Sequence, residues 1–407
     1  MCRKRPKDCR VGQPWSGVPI SRSVTERRRL VLVVNHAAFL VSHRLPILLR
    51  ARDEGWHVTA AASSCAVEHD ASALDVLRSH NVDFAELPMS RSGRNPLDEF
   101  VAYRSLKALY RQIQPTVVHH VTIKPVIYGS RAARREGVPG VLNAVAGLGS
   151  LFLDDSLSGS LQRRVVLAMY RRAVMHPNLV MLFQNDNDAQ VFEALRLGSH
   201  AQRAVIRGSG VDLDVFKQTP SPDEERLLVI FPARILHDKG VREFVAAAEM
   251  LRAEGSNARF AIVGAEDANP SAASQNELTE WRARGAVELW GYRSDMPSVY
   301  TQCAIVCLPS YREGLPKALL EAAACGRAVV TTDVPGCRDA VDAESAVLVR
   351  PRDAAALAGA LRALLVDRGR RERMGAAGRR LAERRFSVHA VADATIAIYN
   401  QLVRTAA

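Results

Sequence analysis

The chain has 407 residues, 48% of them hydrophobic, 24% charged and only 6% aromatic. That composition excludes wholesale disorder and assigns the core to Ala, Val and Leu. No apolar run approaches the ~20 residues of a membrane-spanning helix, and the formal charge is +12, from 55 Lys and Arg against 43 Asp and Glu.

Residues 1–28 are expected to be a disordered basic tail, with a membrane-surface or nucleic-acid anchor as the sharper alternative. Residues 1–29 hold nine basic side chains and two acids. No apolar stretch follows the basic start, so a secretory signal is not expected.

From residue 29 short apolar runs alternate with helical spacing. Arg29–Val34 reads as a strand, Ser42–Glu54 as a helix stopped by Gly55, and His57–Ala62 as a strand. Ala71–His80, Glu99–Ile113 and Val126–Glu136 read as helices between the strands Phe84–Leu87, Val117–Val121 and Val141–Val145. The helix Leu161–Met175, the strand Leu179–Phe183, the helix Asp186–Leu197 and the strand Arg203–Ile206 complete this half. Thr219–Glu225, polar with two prolines, is the best linker candidate.

The alternation then restarts. Strands are expected at Leu227–Pro232, Phe260–Val263, Val287–Trp290, Ala304–Pro309, Ala328–Thr332 and Ala346–Val349. Helices are expected at Val241–Ala253, Glu277–Ala286, Pro316–Ala324, Asp353–Val366 and Arg370–Arg385. Strand-then-helix repetition predicts parallel sheets covered on both faces, in two α/β doubly wound halves. We place an N-terminal unit at 29–215, a C-terminal unit at 216–385, and a final helix, 386–407, returning to the first unit. Ligands of such sheets sit beyond the carboxyl ends of the strands.

Ser310–Gly326 (SYREGLPKALLEAAACG) runs from an apolar strand through Gly314, Leu315 and Pro316 into a helix, with Glu313 before it and Glu321 inside. The free N–H groups of the helix start suit a diphosphate. Phe231–Gly240 (FPARILHDKG) sets Arg234 and Lys239 just past another strand. Two fixed cations there suit a diphosphate leaving group. No phosphate-binding G-x-x-x-x-G-K-[ST] loop is present, and no G-x-G-x-x-G follows the first strand. Seven cysteines without a Cys-x-x-Cys pair are read as apolar fillers, with no disulfide or zinc expected.

Arg234 and Lys239 followed by Glu313-x7-Glu321 resemble the donor site of retaining glycosyltransferases of the GT-B fold, family 4. Val205–Phe216 (VIRGSGVDLDVF), Phe260–Gly264 (FAIVG) and Val287–Tyr292 (VELWGY) resemble further signatures of that family. The resemblance implies two Rossmann-like domains facing a cleft. It implies a UDP-sugar donor held by the second, with Gly264 and Tyr292 at the donor side. The leaving diphosphate serves as the base, Glu313 orients the sugar and Glu321 the ribose.

Ala233–Phe244, Val263–Ser274, Arg293–Met296, Pro309–Leu315 and Gly147–Asp154 resemble a narrower subgroup. Its bacterial members add an N-acetylhexosamine to an undecaprenyl-diphosphate-linked sugar. This implies N-acetylgalactosamine as the transferred sugar and a peripheral place on the cytoplasmic face of the inner membrane. Another nucleotide sugar and acceptor in O-antigen, capsule or lipopolysaccharide assembly is the alternative, as are a related epimerase or phosphorylase and an inactive binding module. Where many members carry Gly-Gly, this chain reads Asn35–Pro46 with a Ser-His-Arg-x-Pro run. His43, His119, Lys124, Gly147 and Gly149 are the acceptor-side candidates, and His119 is expected to face the cleft.

Two D-x-D triplets, Asp186–Asp188 and Asp212–Asp214, are read as a helix cap and a turn. The resemblance implies a metal-independent enzyme without cofactor or nucleic-acid partner. Arg163, Arg164, Arg171 and Arg172, two helical turns apart with apolar residues between, suit an interfacial helix face.

Overall fold

A computed structural model describes residues 28–64, 70–89, 95–147, 157–222, 224–267 and 269–406. The tail expected at 1–28 lies, but for Arg28, outside them, as do Cys2, Cys9, Cys65 and Gly149.

Two wholly parallel sheets form the frame. The first has β1 (Arg29–His36), β2 (His57–Ser63), β3 (Asp83–Glu86), β4 (Val117–Val121), β5 (Gly140–Val145), β6 (Leu179–Phe183) and β7 (Gln202–Val205), in the order 3-2-1-4-5-6-7. The second has β8 (Leu228–Phe231), β9 (Arg259–Val263), β10 (Glu288–Gly291), β11 (Ile305–Leu308), β12 (Ala328–Thr332) and β13 (Ala346–Val349), in the order 10-9-8-11-12-13. Strand order therefore reverses twice, between β1 and β4 and between β8 and β11. These are the two places where such folds hold ligands.

The inner strands of both sheets are buried on both faces, which is why they read as continuous apolar runs, whereas the edge strands β3, β7 and β10 are half-buried or exposed. On one face of the first sheet lie α1 (Ala37–Asp53) and α2 (Asp70–Ser79), with Leu32, Val34, Leu48 and Leu142 in their core. On the other lie α3 (Pro96–Ile113), α4 (Ser130–Arg135), α5 (Leu157–Ala173) and α6 (Asp186–Ala194), over Val31, Val118, Met181 and Phe183. The second sheet carries α7 (Val241–Ala253), α8 (Gln275–Arg284), α9 (Met296–Gln302), α10 (Lys317–Ala324), α11 (Ala354–Val366) and α12 (Arg368–Arg385). The last helix, α13 (Val388–Ala406), packs on α1, β4, β5 and β6, and puts Ile396, Tyr399 and Leu402 into the first domain's core.

Several element bounds differ from expectation, those of α3, α5 and α6 by three or four residues, and three differences have local reasons. Helix α1 begins five residues early because the His36 imidazole accepts from Phe39 N and caps it. The expected helix 126–136 is split. Pro125–Gly129 forms a π-helical turn, and α4 follows. The short α9, led by Asp295 and Pro297, was not anticipated.

Candidate active site

The loops after β8 and β11 meet at the second switch point. Tyr311 N donates to Asp238 O at 2.9 Å and ties them together. Their charged side chains also meet: Lys239 Nζ lies 2.5 Å from Glu313 Oε1, which also accepts from Ser310 Oγ at 2.7 Å. Burial pulls the Lys239 ammonium down, but the Glu313 carboxylate outweighs it and, with Cys337 and Asp238, holds lysine above its ordinary value. A cation and an anion are therefore fixed side by side at a strand end.

Arg234, from the same loop as Lys239, is held by Asp267 of the loop after β9, Nη1 to Oδ2 at 2.6 Å. The two loops approach so closely that a Cβ on Gly264 would lie 1.8 Å from Ala233 O. Only glycine fits there. Tyr292 follows β10 and is half exposed at the outer edge of this sheet.

Helix α10 starts three residues after Gly314, and its N-cap, Pro316, supplies no side-chain acceptor. Leu315 is buried in the second core and would meet a Cβ on Gly208. Glu321 is not a solvated helix residue. It is buried, accepts from Tyr300 Oη at 3.0 Å and pairs with Lys317 Nζ at 3.1 Å. Burial, then the adjacent Glu321 carboxylate, drives the Tyr300 phenol well up and keeps it a donor.

The first domain closes on this point. Asn185 Nδ2 donates to Gly314 O at 2.7 Å. A Cβ on Gly314 would lie 2.5 Å from Gln184 Oε1 and 2.6 Å from Ala146 O. Gly147, with φ +108, backs onto Gly314 from the end of β5. Arg312 Nη2 reaches Asp188 Oδ1 at 2.5 Å, and Arg207 bridges Asp186 and Asp339. Of these cross-cleft partners, Gly147, Gly314, Asp186 and Asp188 were singled out from the sequence, and Asn185, Arg207, Arg312 and Asp339 were not. Arg312 sits beside Glu313 in the same run, and that adjacency was the available signal.

On the acceptor side the candidates divide. His43 is half-buried on α1, stacked on Phe39 at 4.3 Å between ring centres. Desolvation, then the Lys317 ammonium of the other domain, drives its imidazole well below the usual range. It is thus a neutral group at the cleft. Lys124 follows β4 and is bound by Glu99 Oε1 at 2.5 Å.

His119 does not face the cleft. It is fully buried at the middle of β4, with Nδ1 2.6 Å from Tyr399 Oη on α13. Alternation puts residues 117, 119 and 121 on one face, so Val121 holds the position nearest the strand's carboxyl end.

The first D-x-D triplet is also corrected in detail. Asn185, not an aspartate, is the N-cap of α6, accepting from Asp188 N at 2.8 Å. Asp212 accepts from Asp214 N and Val215 N and so shapes a turn. Cys303, Cys307, Cys325 and Cys337 are buried free thiols, and burial pushes that of Cys303 up to about 12. Among the described residues no helix is long and apolar enough to cross a membrane.

Residues 213–381 match the model of glycosyl transferases group 1, and residues 29–184 that of glycosyl transferase 4-like domains. The chain is 29% identical over 348 residues to a Campylobacter jejuni protein, covering 82% of this chain and 89% of that one. The relative is N,N'-diacetylbacillosaminyl-diphospho-undecaprenol alpha-1,3-N-acetylgalactosaminyltransferase. Sucrose-phosphate synthase of Thermosynechococcus elongatus superposes with a TM-score of 0.78 at 19% identity, covering 93% of this chain and 100% of its own. Anabaena HepE, solved with UDP and glucose, superposes with a TM-score of 0.74 at 15% identity, covering 92% and 100%. Both halves matched, on two facing parallel-sheet domains, make this chain a member of the family-4 glycosyltransferases of the GT-B fold.

Proposed function

We propose that the enzyme is a retaining transferase moving an N-acetylhexosamine, N-acetylgalactosamine first among them, from its UDP ester to a sugar on undecaprenyl diphosphate. The observation that carries the donor half is the Lys239–Glu313 pair at the β8/β11 switch point, beside the start of α10. The C. jejuni relative supports the acceptor half.

In this reading Lys239, Arg234 and the N–H groups of Lys317 and Ala318 bind the diphosphate. The bond between the anomeric carbon and phosphate oxygen breaks as the acceptor hydroxyl attacks the same face. The hydroxyl proton passes to the departing diphosphate, and UDP leaves. Glu313 carries negative charge to the anomeric carbon as it turns cationic. Gly264 and Tyr292 border the nucleotide, and Glu321, oriented by Tyr300 and Lys317, takes the ribose. His43, Lys124 and Gly147 border the acceptor. No metal or cofactor is assigned a step, and the enzyme works peripherally at the cytoplasmic face of the inner membrane.

A panel of UDP-sugars against lipid-linked monosaccharide acceptors, read by product mass and anomeric NMR, tests this. A product of inverted configuration, or transfer only from sugars other than UDP-N-acetylhexosamines, overturns it.

A further inference from the structure

Three large apolar side chains stand exposed on one turn of α3: Leu97 at 73%, Phe100 at 56% and Val101 at 49%. Their i, i+3, i+4 spacing puts them on one side of the helix. The opposite side, Ala102, Leu106 and Tyr110, is in the core. Removing the first three from water is favourable, in proportion to the apolar area buried. The fold leaves them outside, with Asp98 the exposed acid of the same turn.

This turn has a fixed place. Glu99 accepts from Lys124 Nζ at 2.5 Å and pins it to the carboxyl end of β4, the acceptor-side switch point. Helix α3 packs on α4 and on the π-helical turn, which packs on α5. Helices α3, α4 and α5 carry ten Lys and Arg and only two acids, Asp98 and Glu99; α6, the fourth helix on this face, adds Asp186, Asp188 and Glu193 and no base. Glu136, just past α4, is taken up by Lys107 and Arg111. Arg104 lies 5.9 Å over the Phe100 ring. Arg131, Arg134, Arg135, Arg164, Arg171 and Arg172 are exposed, and Val165 stands 53% exposed on α5.

We infer that the outer face of the α3–α5 layer docks on an anionic lipid bilayer, with Leu97, Phe100 and Val101 entering the boundary between headgroups and acyl chains. The cationic field supplies attraction to acidic headgroups, and the apolar turn supplies insertion. A nucleic-acid surface would need the cations but would leave the aliphatic pair in water. The docked pose sets the acceptor-side mouth of the cleft at the membrane surface. This deepens the reading of a lipid-linked acceptor and takes its purpose from it, whereas the attraction itself needs only the surface.

The test uses the full chain and vesicles of phosphatidylglycerol with phosphatidylcholine, against phosphatidylcholine alone, at low and high salt. Binding is expected to require the anionic lipid. The L97S/F100S variant should partition at least about tenfold more weakly. Arg164→Glu, Arg171→Glu and Arg172→Glu should each weaken low-salt binding about fivefold. In Phe100→Trp, the new emission should shift to the blue and be quenched by brominated lipid. Undiminished binding by L97S/F100S, an unquenched Trp in vesicle-bound protein, or binding of duplex DNA without binding of vesicles overturns the inference. So does loss of all vesicle binding when residues 1–27 are removed. Vesicle binding in the expected pattern without transfer to any lipid-linked acceptor sustains the docking surface and sinks the acceptor reading alone. L97S/F100S should keep full transfer to a short-chain, water-soluble acceptor.

Discussion

Lys239 Nζ and Glu313 Oε1 lie 2.5 Å apart, and each is the other's counter-ion. In the proposed mechanism an entering donor diphosphate would compete with Glu313 for the lysine and would leave the carboxylate free to face the sugar.

Lys239→Ala should therefore lower turnover about 100-fold or more, the effect of removing on the order of 3 kcal/mol of charge stabilisation in a water-poor cleft. Glu313→Gln should cut kcat more than it raises donor KM. Steady-state kinetics on folded variants checks both. Wild-type turnover in Lys239→Ala removes the lysine from the mechanism.

Glu321→Ala should raise the Kd for UDP by roughly tenfold, through lost ribose contacts and a Tyr300 hydroxyl left without its carboxylate partner. Its kcat should fall less. Calorimetric titration of UDP into both Glu variants separates the roles. Equal losses of affinity in Glu313→Gln and Glu321→Ala contradict this division.

Arg312 and Asp188 tie the domains across the cleft, with Asp188 fully buried and Arg312 partly so. Burial raises the Asp188 carboxyl, while the guanidinium opposes that shift. Arg312→Ala should leave a buried carboxylate unpaired, at a cost of about 3–5 kcal/mol. It should also open the cleft. Small-angle scattering should show a larger radius of gyration, and a double-mutant cycle with Asp188→Asn should show strong coupling. Independent, additive effects show that the pair does not hold the domains.

The sequence carried the sheets because strands buried on both faces leave unmistakable apolar runs, as at Leu30–Val34 and Ala328–Thr332. It also put Lys239 and Glu313 on the loops that follow two such runs, β8 and β11. Side-chain direction was less legible. His119 and His120 are adjacent, yet one turns to Tyr399 on the last helix and the other to Tyr110 and Asn143. Which face meets α13 depends on a contact 280 residues away. The Arg312–Asp188 tie was hidden likewise, since its partners are 124 residues apart, Asp188 reads as part of a helix cap and Arg312 alone reads as an ordinary surface charge.

Activity should survive EDTA. Asp186 and Asp188 are engaged by Arg207 and Arg312, and Asp212 by backbone N–H groups, so neither triplet presents a converging set of free carboxylates. Loss of turnover on chelation, restored by Mg²⁺ or Mn²⁺, would overturn the structural reading of both.

Stability should fall on mild acidification. His120 is fully buried between Tyr110 and Asn143, and burial pulls its imidazole down to about 4 despite the Asn143 hydrogen bond. The unfolded chain takes up that proton near pH 6.5, the folded chain near pH 4. Between those values the unfolded state binds more protons, so the folded state loses ground as pH falls. The loss from His120 alone is on the order of 3 kcal/mol across that window, and it is absent above pH 7. His43 and His119, also depressed first by desolvation, act in the same direction. Urea unfolding at pH 7.5 and pH 5 should show a lower midpoint at pH 5. His120→Gln should be less stable at pH 7.5 but show a smaller drop between the two values. An unchanged drop in that variant would mean that His120 is not the group whose protonation drives the loss.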